Sequence, residues 1–195
     1  MERRPTLSLN EWAVLGVLVE KPRHGYDIAA ELRAGARIGD VWHLTRQLVY
    51  RALERLEALR LVEPQRTEPS AAGPPRTVYR PTTRGRAHLR RWLVTPVKHI
   101  RDVRSAFLLK LVITEQLGLR PDDLIEAQRG AFADLLEQRA VTPPRTDHVA
   151  TWRHHSAAAV AAFLDSLDER SGDPGPDLTP PSSGVPRAAG RRPRG

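Results

Sequence analysis

Cysteine is absent from this 195-residue chain, which excludes disulfides, thiol nucleophiles and every zinc or iron–sulfur site built on thiolates. Missing too is any run approaching the ~18 consecutive apolar residues that a membrane span needs. The opening MERRPTLSLNEW carries charge but no uninterrupted apolar stretch of the secretory kind, so the expectation is a soluble, cytoplasmic protein with no membrane partner. There is no phosphate loop, dinucleotide fingerprint or HExxH motif, and no convergent set of nucleophile, base and stabiliser. The seven histidines are scattered. His148 and His155 share a helix face but stand two turns apart, roughly 10 Å at ~1.5 Å per residue, too far for one metal ion, and the adjacent His154 and His155 point apart. No catalytic residue, metal site or cofactor is expected.

What the chain does have is positive charge, unevenly spread. The net charge is +8, with +7 in residues 1–95, −1 in 96–171 and +2 in 172–195. A basic N-terminal half suits contact with phosphates, although an acidic protein or an anionic membrane surface would also attract it.

The most informative stretch lies in that half. Residues 43–57, HLTRQLVYRALERLE, read as an amphipathic helix capped by the Thr45 hydroxyl. Val49, Ala52, Leu53, Leu56 and Leu59 recur at three-and-four spacing and turn inward. Arg46, Gln47, Tyr50, Arg51, Glu54 and Arg55 are left outward, with Arg46, Gln47 and Tyr50 in the first turn and a half. In helix-turn-helix proteins that end of the recognition helix meets base edges, where Arg and Gln form bidentate pairs with guanine and adenine. A solvated surface helix is the alternative for this segment taken alone.

Its surroundings favour the first reading. Ser8 and Glu11 form a capping box ahead of a buried first helix carrying Trp12, Leu15, Val17, Leu18 and Val19 and ending before Pro22. After a turn through 22–25, a second helix carries the apolar Tyr26, Ile28, Ala29 and Leu32, followed by a region punctuated by Gly35 and Gly39. Beyond the third helix, 61–67 and 76–81 read as two strands joined by a flexible Pro/Gly/Ala-rich tip, 68–75. Pro64 places the first strand at an edge. Three helices and this two-stranded wing make a winged helix-turn-helix. Arg66, Arg76 and Arg80 sit on the wing where they would meet the sugar-phosphate backbone or minor groove, solvated loop charge being the alternative for each.

A linking helix begins at Thr82 or Thr83 and ends before Pro96. The remainder reads as helical: 105–117 is strongly apolar, 121–140 starts with Pro121 followed by Asp122 and Asp123 at the positive helix end, and 146–170 is long and amphipathic. In the last, Val149, Trp152, Ser156, Val160, Phe163 and Leu167 form a seam close to that of a coiled coil. The fold class expected is therefore mainly α: a winged helix-turn-helix DNA-binding domain over 1–95, a helical dimerisation and effector domain over 96–170, and a disordered Gly/Pro/Ser-rich tail over 171–195. Phe107, Leu108, Leu111, Trp152, Val160, Phe163 and Leu167 are the candidate dimerisation and effector residues. A cleft between protomers lined by Trp152, Phe163 or Phe107 would take a flat ligand; ordinary core packing is the alternative.

Taken together, LGVL at 15–18, PRHGYDI at 22–28, YRALERL at 50–56, LV at 61–62 and YRPTTRG at 79–85 resemble the PadR family of transcriptional regulators, closely over about 6–93 and more loosely over 107–111 and 152–167. The resemblance implies a homodimeric winged-helix repressor of double-stranded DNA, often relieved by a small aromatic or apolar molecule. Where the family usually has Ser-Pro or Ser-x-Gly, this chain has Thr45, Arg46 and Gln47. Arg60 stands where Gly is most frequent, so the third helix is expected to end without a left-handed glycine. Arg46, Gln47, Tyr50, Arg51, Arg55, Arg66, Arg76 and Arg80 are the candidate DNA-binding residues, Tyr50 either through its hydroxyl or merely packing by its ring. The rival reading is an adaptor that uses the winged-helix shape for protein contacts; such a protein should have lost the basic outer face kept here.

Overall fold

A computed structural model describes residues 6–70, 73–137 and 147–171. The tail expected to be disordered, apart from its first residue, lies outside them. Ten regular elements follow in order: α1 (Leu9–Glu20), β1 (Arg23–His24), α2 (Gly25–Glu31), α3 (Arg46–Ala58), β2 (Val62–Ser70), β3 (Gly73–Pro81), α4 (Thr83–Leu93), α5 (Leu108–Gln116), α6 (Asp122–Glu137) and α7 (His148–Ser171). The fold is mainly helical with a winged helix-turn-helix at its N-terminal end.

Helix α1 starts where the Glu11 carboxylate accepts from the Ser8 backbone N–H at 2.5 Å. Its residues Trp12 to Leu18 are all buried, as befits a helix wrapped on every side. Around it, Leu15, Leu18, Ile28, Leu32, Leu53, Leu56 and Leu61 close the first core. The sheet corrects one expectation. Three antiparallel strands run in the order β1-β3-β2, because the supposed turn before α2 pairs Arg23 with Tyr79 and His24 with Val78. Pro64 lies on the edge strand as anticipated, opposite Tyr79 and beside a bulge. The wing tip is a further correction: pairing continues through Glu68–Arg76 to Ser70–Gly73, so the hairpin extends well beyond the strands expected from the sequence.

The end of α3 is closed without a glycine, by Arg60. It takes φ +56° itself. The Leu61 N–H bonds the Leu56 carbonyl at 2.9 Å and the Arg60 N–H bonds the Glu57 carbonyl at 2.8 Å, the pair of contacts that closes a helix through a left-handed residue. A side chain in that conformation costs about 1–2 kcal/mol, part of which glycine's freedom in the unfolded chain offsets. Arg60→Gly should therefore raise Tm by about 1–4 °C in thermal melts; a fall would contradict this account.

Packing links the residues on either side of position 95. The expected helix 105–117 opens with a 3-10 turn, Ile100–Asp102, and a π turn, Val103–Phe107, before α5 proper. One side of α5 enters the first core through Leu109 and Ile113. The other joins a second core, in which Phe107, Leu111, Leu124, Ile125, Phe132, Val160 and Leu164 are buried. Gly16 makes the first contact feasible: a Cβ there would stand 2.5 Å from Ile113 Cδ1. Two buried polar side chains complete the joint. The Gln128 amide donates to the Val97 carbonyl at 3.0 Å and accepts from its N–H at 2.7 Å. Lys110 Nζ donates to the Trp92 carbonyl at 2.7 Å and to that of Thr95, lies 4.5 Å from the centroid of the Trp92 ring, and so caps α4. Trp92 in turn stacks on Trp12 at 4.7 Å.

Burial pushes the Lys110 ammonium down to about 8. Between pH 8 and the unfolded value near ~10.4, the unfolded chain binds the extra proton, so stability should rise with pH by up to about 1.4 kcal/mol per unit. Denaturant unfolding at pH 8 and pH 9.5 should show that rise in the parent chain and its loss in Lys110→Met; parallel behaviour of the two would refute it.

Candidate nucleic-acid interface

Helix α3 is built as its sequence implies. Thr45 caps it, its hydroxyl accepting from the Leu48 N–H at 3.4 Å. Val49, Ala52, Leu53 and Leu56 are buried and Leu59 half-buried, while Arg46, Gln47, Tyr50, Arg51, Glu54 and Arg55 are all exposed. No acidic residue occupies its first turn, which leaves the positive helix end uncompensated and open to an anion.

Seven of the eight candidate contact residues fall into three groups, Tyr50 standing apart. Gln47, Arg51 and Arg55 extend from α3 with no ion pair among the described residues. Arg66 and Arg80 on the wing are held by carboxylates: Arg66 to Glu68 at 2.6 Å and Arg80 to Glu63 at 2.8 Å. The hydrogen bond and charge of the Arg66 guanidinium hold the Glu68 carboxyl below its ordinary value, with His24 adding to the effect; His24 Nε2 lies 2.9 Å from Glu68. Exposed pairs of this kind contribute little to stability, so a phosphate can readily replace the carboxylate.

Arg46 and Arg76 are brought together, from α3 and from β3. Their guanidinium carbons lie 5.1 Å and 5.9 Å from the centroid of the Tyr26 ring. Tyr26 was counted among the apolar residues of the second helix, yet it is 52% exposed. The signal was legible: Ile28 and Leu32, one turn apart, take the buried stripe, and Tyr26 is two residues and so about 200° away from Ile28 at ~100° per residue. Tyr50 has its ring against α2, where a Cβ on Gly25 would meet it at 2.7 Å. Packing is thus part of its role. Beneath it, burial raises the Tyr79 phenol above its ordinary value, with Glu57, Tyr50 and Glu54 adding to this.

A buried α3 core stripe, a basic first turn and a paired wing beside it coincide with a sequence match. The model of the transcriptional regulator PadR-like family matches residues 14–91. Residues 14–91 are thus similar to the PadR-like family of transcriptional regulators. No curated protein sequence matches the chain. Among solved structures, Bacillus subtilis PadR in complex with operator DNA is similar at 20% identity and a TM-score of 0.45, covering 83% of this chain and 99% of that one. The same protein in complex with p-coumaric acid gives 18%, 0.41, 84% and 99%, and the PadR-like transcriptional regulator BC1756 from Bacillus cereus gives 19%, 0.37, 87% and 97%.

In the second half of the chain the candidate dimerisation and effector residues separate. Phe107, Leu111 and Val160 are buried within the chain's own second core, with Leu108, Phe163 and Leu167 packed against it; Phe107 and Phe163 meet edge to face at 6.3 Å. Only the N-terminal end of the α7 seam is outward, with Trp152 73% and Val149 60% exposed. Among the described residues no three acidic or histidine side chains could hold a metal ion, and no helix is long and apolar enough to cross a membrane.

Proposed function

We propose that this chain is a PadR-like regulator, a cytoplasmic, non-enzymatic homodimer that binds operator DNA through α3 and the wing and represses transcription until a small aromatic or apolar molecule binds. The observation that carries the DNA reading is the exposed Arg46 and Gln47 at the start of α3, with Arg76 of the wing meeting Arg46 over the Tyr26 ring. In that arrangement Arg46 and Gln47 read base edges, and Arg51, Arg55, Arg66, Arg76 and Arg80 lie along phosphates. Residues 1–95 supply the DNA-binding part and 96–170 the dimer and effector part. The exposed Trp152 and Val149 support the dimer, since large apolar side chains this open at a helix end favour a partner. Repression and its relief rest on the family resemblance.

Base readers and phosphate contacts have different signatures. Arg46→Ala or Gln47→Ala should cost about 1–3 kcal/mol on the specific duplex and relax preference at one or two base pairs. Arg51→Ala or Arg76→Ala should weaken all sequences alike and lower the salt slope by about 1 per lost contact. Titrations on selected and scrambled duplexes at several salt concentrations decide between these. Unchanged affinity and selectivity in Arg46→Ala and Gln47→Ala would remove α3 as the reading helix.

A further inference from the structure

Two guanidiniums from different elements share one exposed phenol ring at the centre of the proposed interface. Arg46 comes from the first turn of α3 and Arg76 from the wing strand β3, while Tyr26 belongs to α2. Neither arginine pairs with a carboxylate among the described residues, whereas the other two wing arginines do. Like charges gathered on one ring repel each other, and the ring's negative face only partly offsets this. The cluster therefore gains most when an anion sits beside it.

We propose that Tyr26 is a positioning residue for DNA binding: its ring holds Arg46 and Arg76 in register, so that base reading by α3 and backbone contact by the wing are coupled through one aromatic side chain. The proposal rests on the DNA-binding reading above. Its physical basis is that a free arginine side chain carries ~2 kcal/mol of rotamer entropy, much of which is lost on binding. A guanidinium already resting on an aromatic face loses less at that moment. Through Arg76 the same ring ties the wing strand β3 to α2 and, through Arg46, to α3. Tyr26 itself needs no buried contact to act. Its neighbour Gly25 brings the start of α2 against the Tyr50 ring, which fixes where Tyr26 stands relative to α3.

The test uses the full chain and a duplex enriched by that chain from a randomised 30-base-pair library, with a scrambled duplex as control. Tyr26→Leu keeps bulk and apolar character but removes the π face; it should weaken the selected duplex roughly 5- to 30-fold per half-site, because binding must then order two arginines that the ring no longer holds. Tyr26→Phe should stay within about twofold of the parent. The defect of Tyr26→Leu should shrink in an Arg46→Ala background and again in an Arg76→Ala background, a coupling that a merely structural role does not produce. Melting curves of Tyr26→Leu should match the parent, because the side chain is half exposed. If the parent enriches no sequence, the DNA-binding reading fails. If it does enrich one, and Tyr26→Leu binds as the parent while Arg46→Ala does not, the positioning role is overturned. A loss in Tyr26→Phe equal to that in Tyr26→Leu would also overturn it, by assigning the effect to the hydroxyl.

Discussion

Gly85→Ala should lower Tm by about 10 °C and take DNA binding with it, although Gly85 lies on neither contact surface proposed here. A Cβ at this position would stand 2.0 Å from the carbonyl oxygen of Leu61, and that atom is backbone, so no side-chain rotation relieves the clash. The same carbonyl accepts from the Thr82 N–H at 3.0 Å and its hydroxyl at 3.2 Å. The Thr82 hydroxyl also lies 2.9 Å from the Arg60 carbonyl and accepts from the Gly85 N–H at 3.0 Å. Moving α4 away to admit a methyl group breaks this set of contacts where α3, β2 and α4 meet. Overpacking costs about 1–3 kcal/mol and each hydrogen bond lost from this partly exposed set adds about 0.5–1.5 more, which at ~2–4 °C per kcal/mol for a chain of this size gives the shift. Circular dichroism melts measure it; a change below about 3 °C would mean that the junction yields.

Truncation after Val94 is expected to abolish folding at physiological temperature. From the sequence, such a fragment reads as a winged-helix monomer that merely binds DNA more weakly. The first core argues otherwise. Leu109 and Ile113 of α5 are completely buried within it, and each such side chain is worth about 2–5 kcal/mol against a total stability of about 5–15 kcal/mol. Removing α5 also uncaps α4, whose last carbonyls are held by Lys110. A fragment of residues 1–94 should show little cooperative unfolding, whereas one ending after residue 120 should recover it. A cooperative transition in the shorter fragment near the parent Tm would contradict the packing of α5 described here.

These outcomes bear on how much was legible beforehand. Helix α3, its Thr45 cap, its buried stripe and its exposed arginines follow from local rules, because capping and three-and-four spacing act within one turn. The edge position of β2 was readable from Pro64 for the same reason. Pairing that depends on distant partners was not: nothing in Arg23 and His24 announces a strand until Tyr79 and Val78 are beside them, and the wing extends past a Pro- and Gly-rich stretch because its partner strand continues. Arg60 shows a local preference overridden, since the contacts of the α3–β2 junction hold a non-glycine residue at φ +56°.

The division is sharpest in the second half. The sequence by itself determined that 105–117 and 146–170 are helical and amphipathic, since periodicity states how wide an apolar face is. It could not state what covers that face. Tertiary packing decided that α5 serves two cores, that Val160, Phe163 and Leu167 are covered within the chain and that Trp152 is not. It also placed Lys110 and Gln128, polar residues on apolar helices, where backbone groups satisfy them. Burial is non-local: it depends on which surfaces meet after the chain has turned back on itself, and the meeting of Arg46, Arg76 and Tyr26 from three separate elements depends on the same thing.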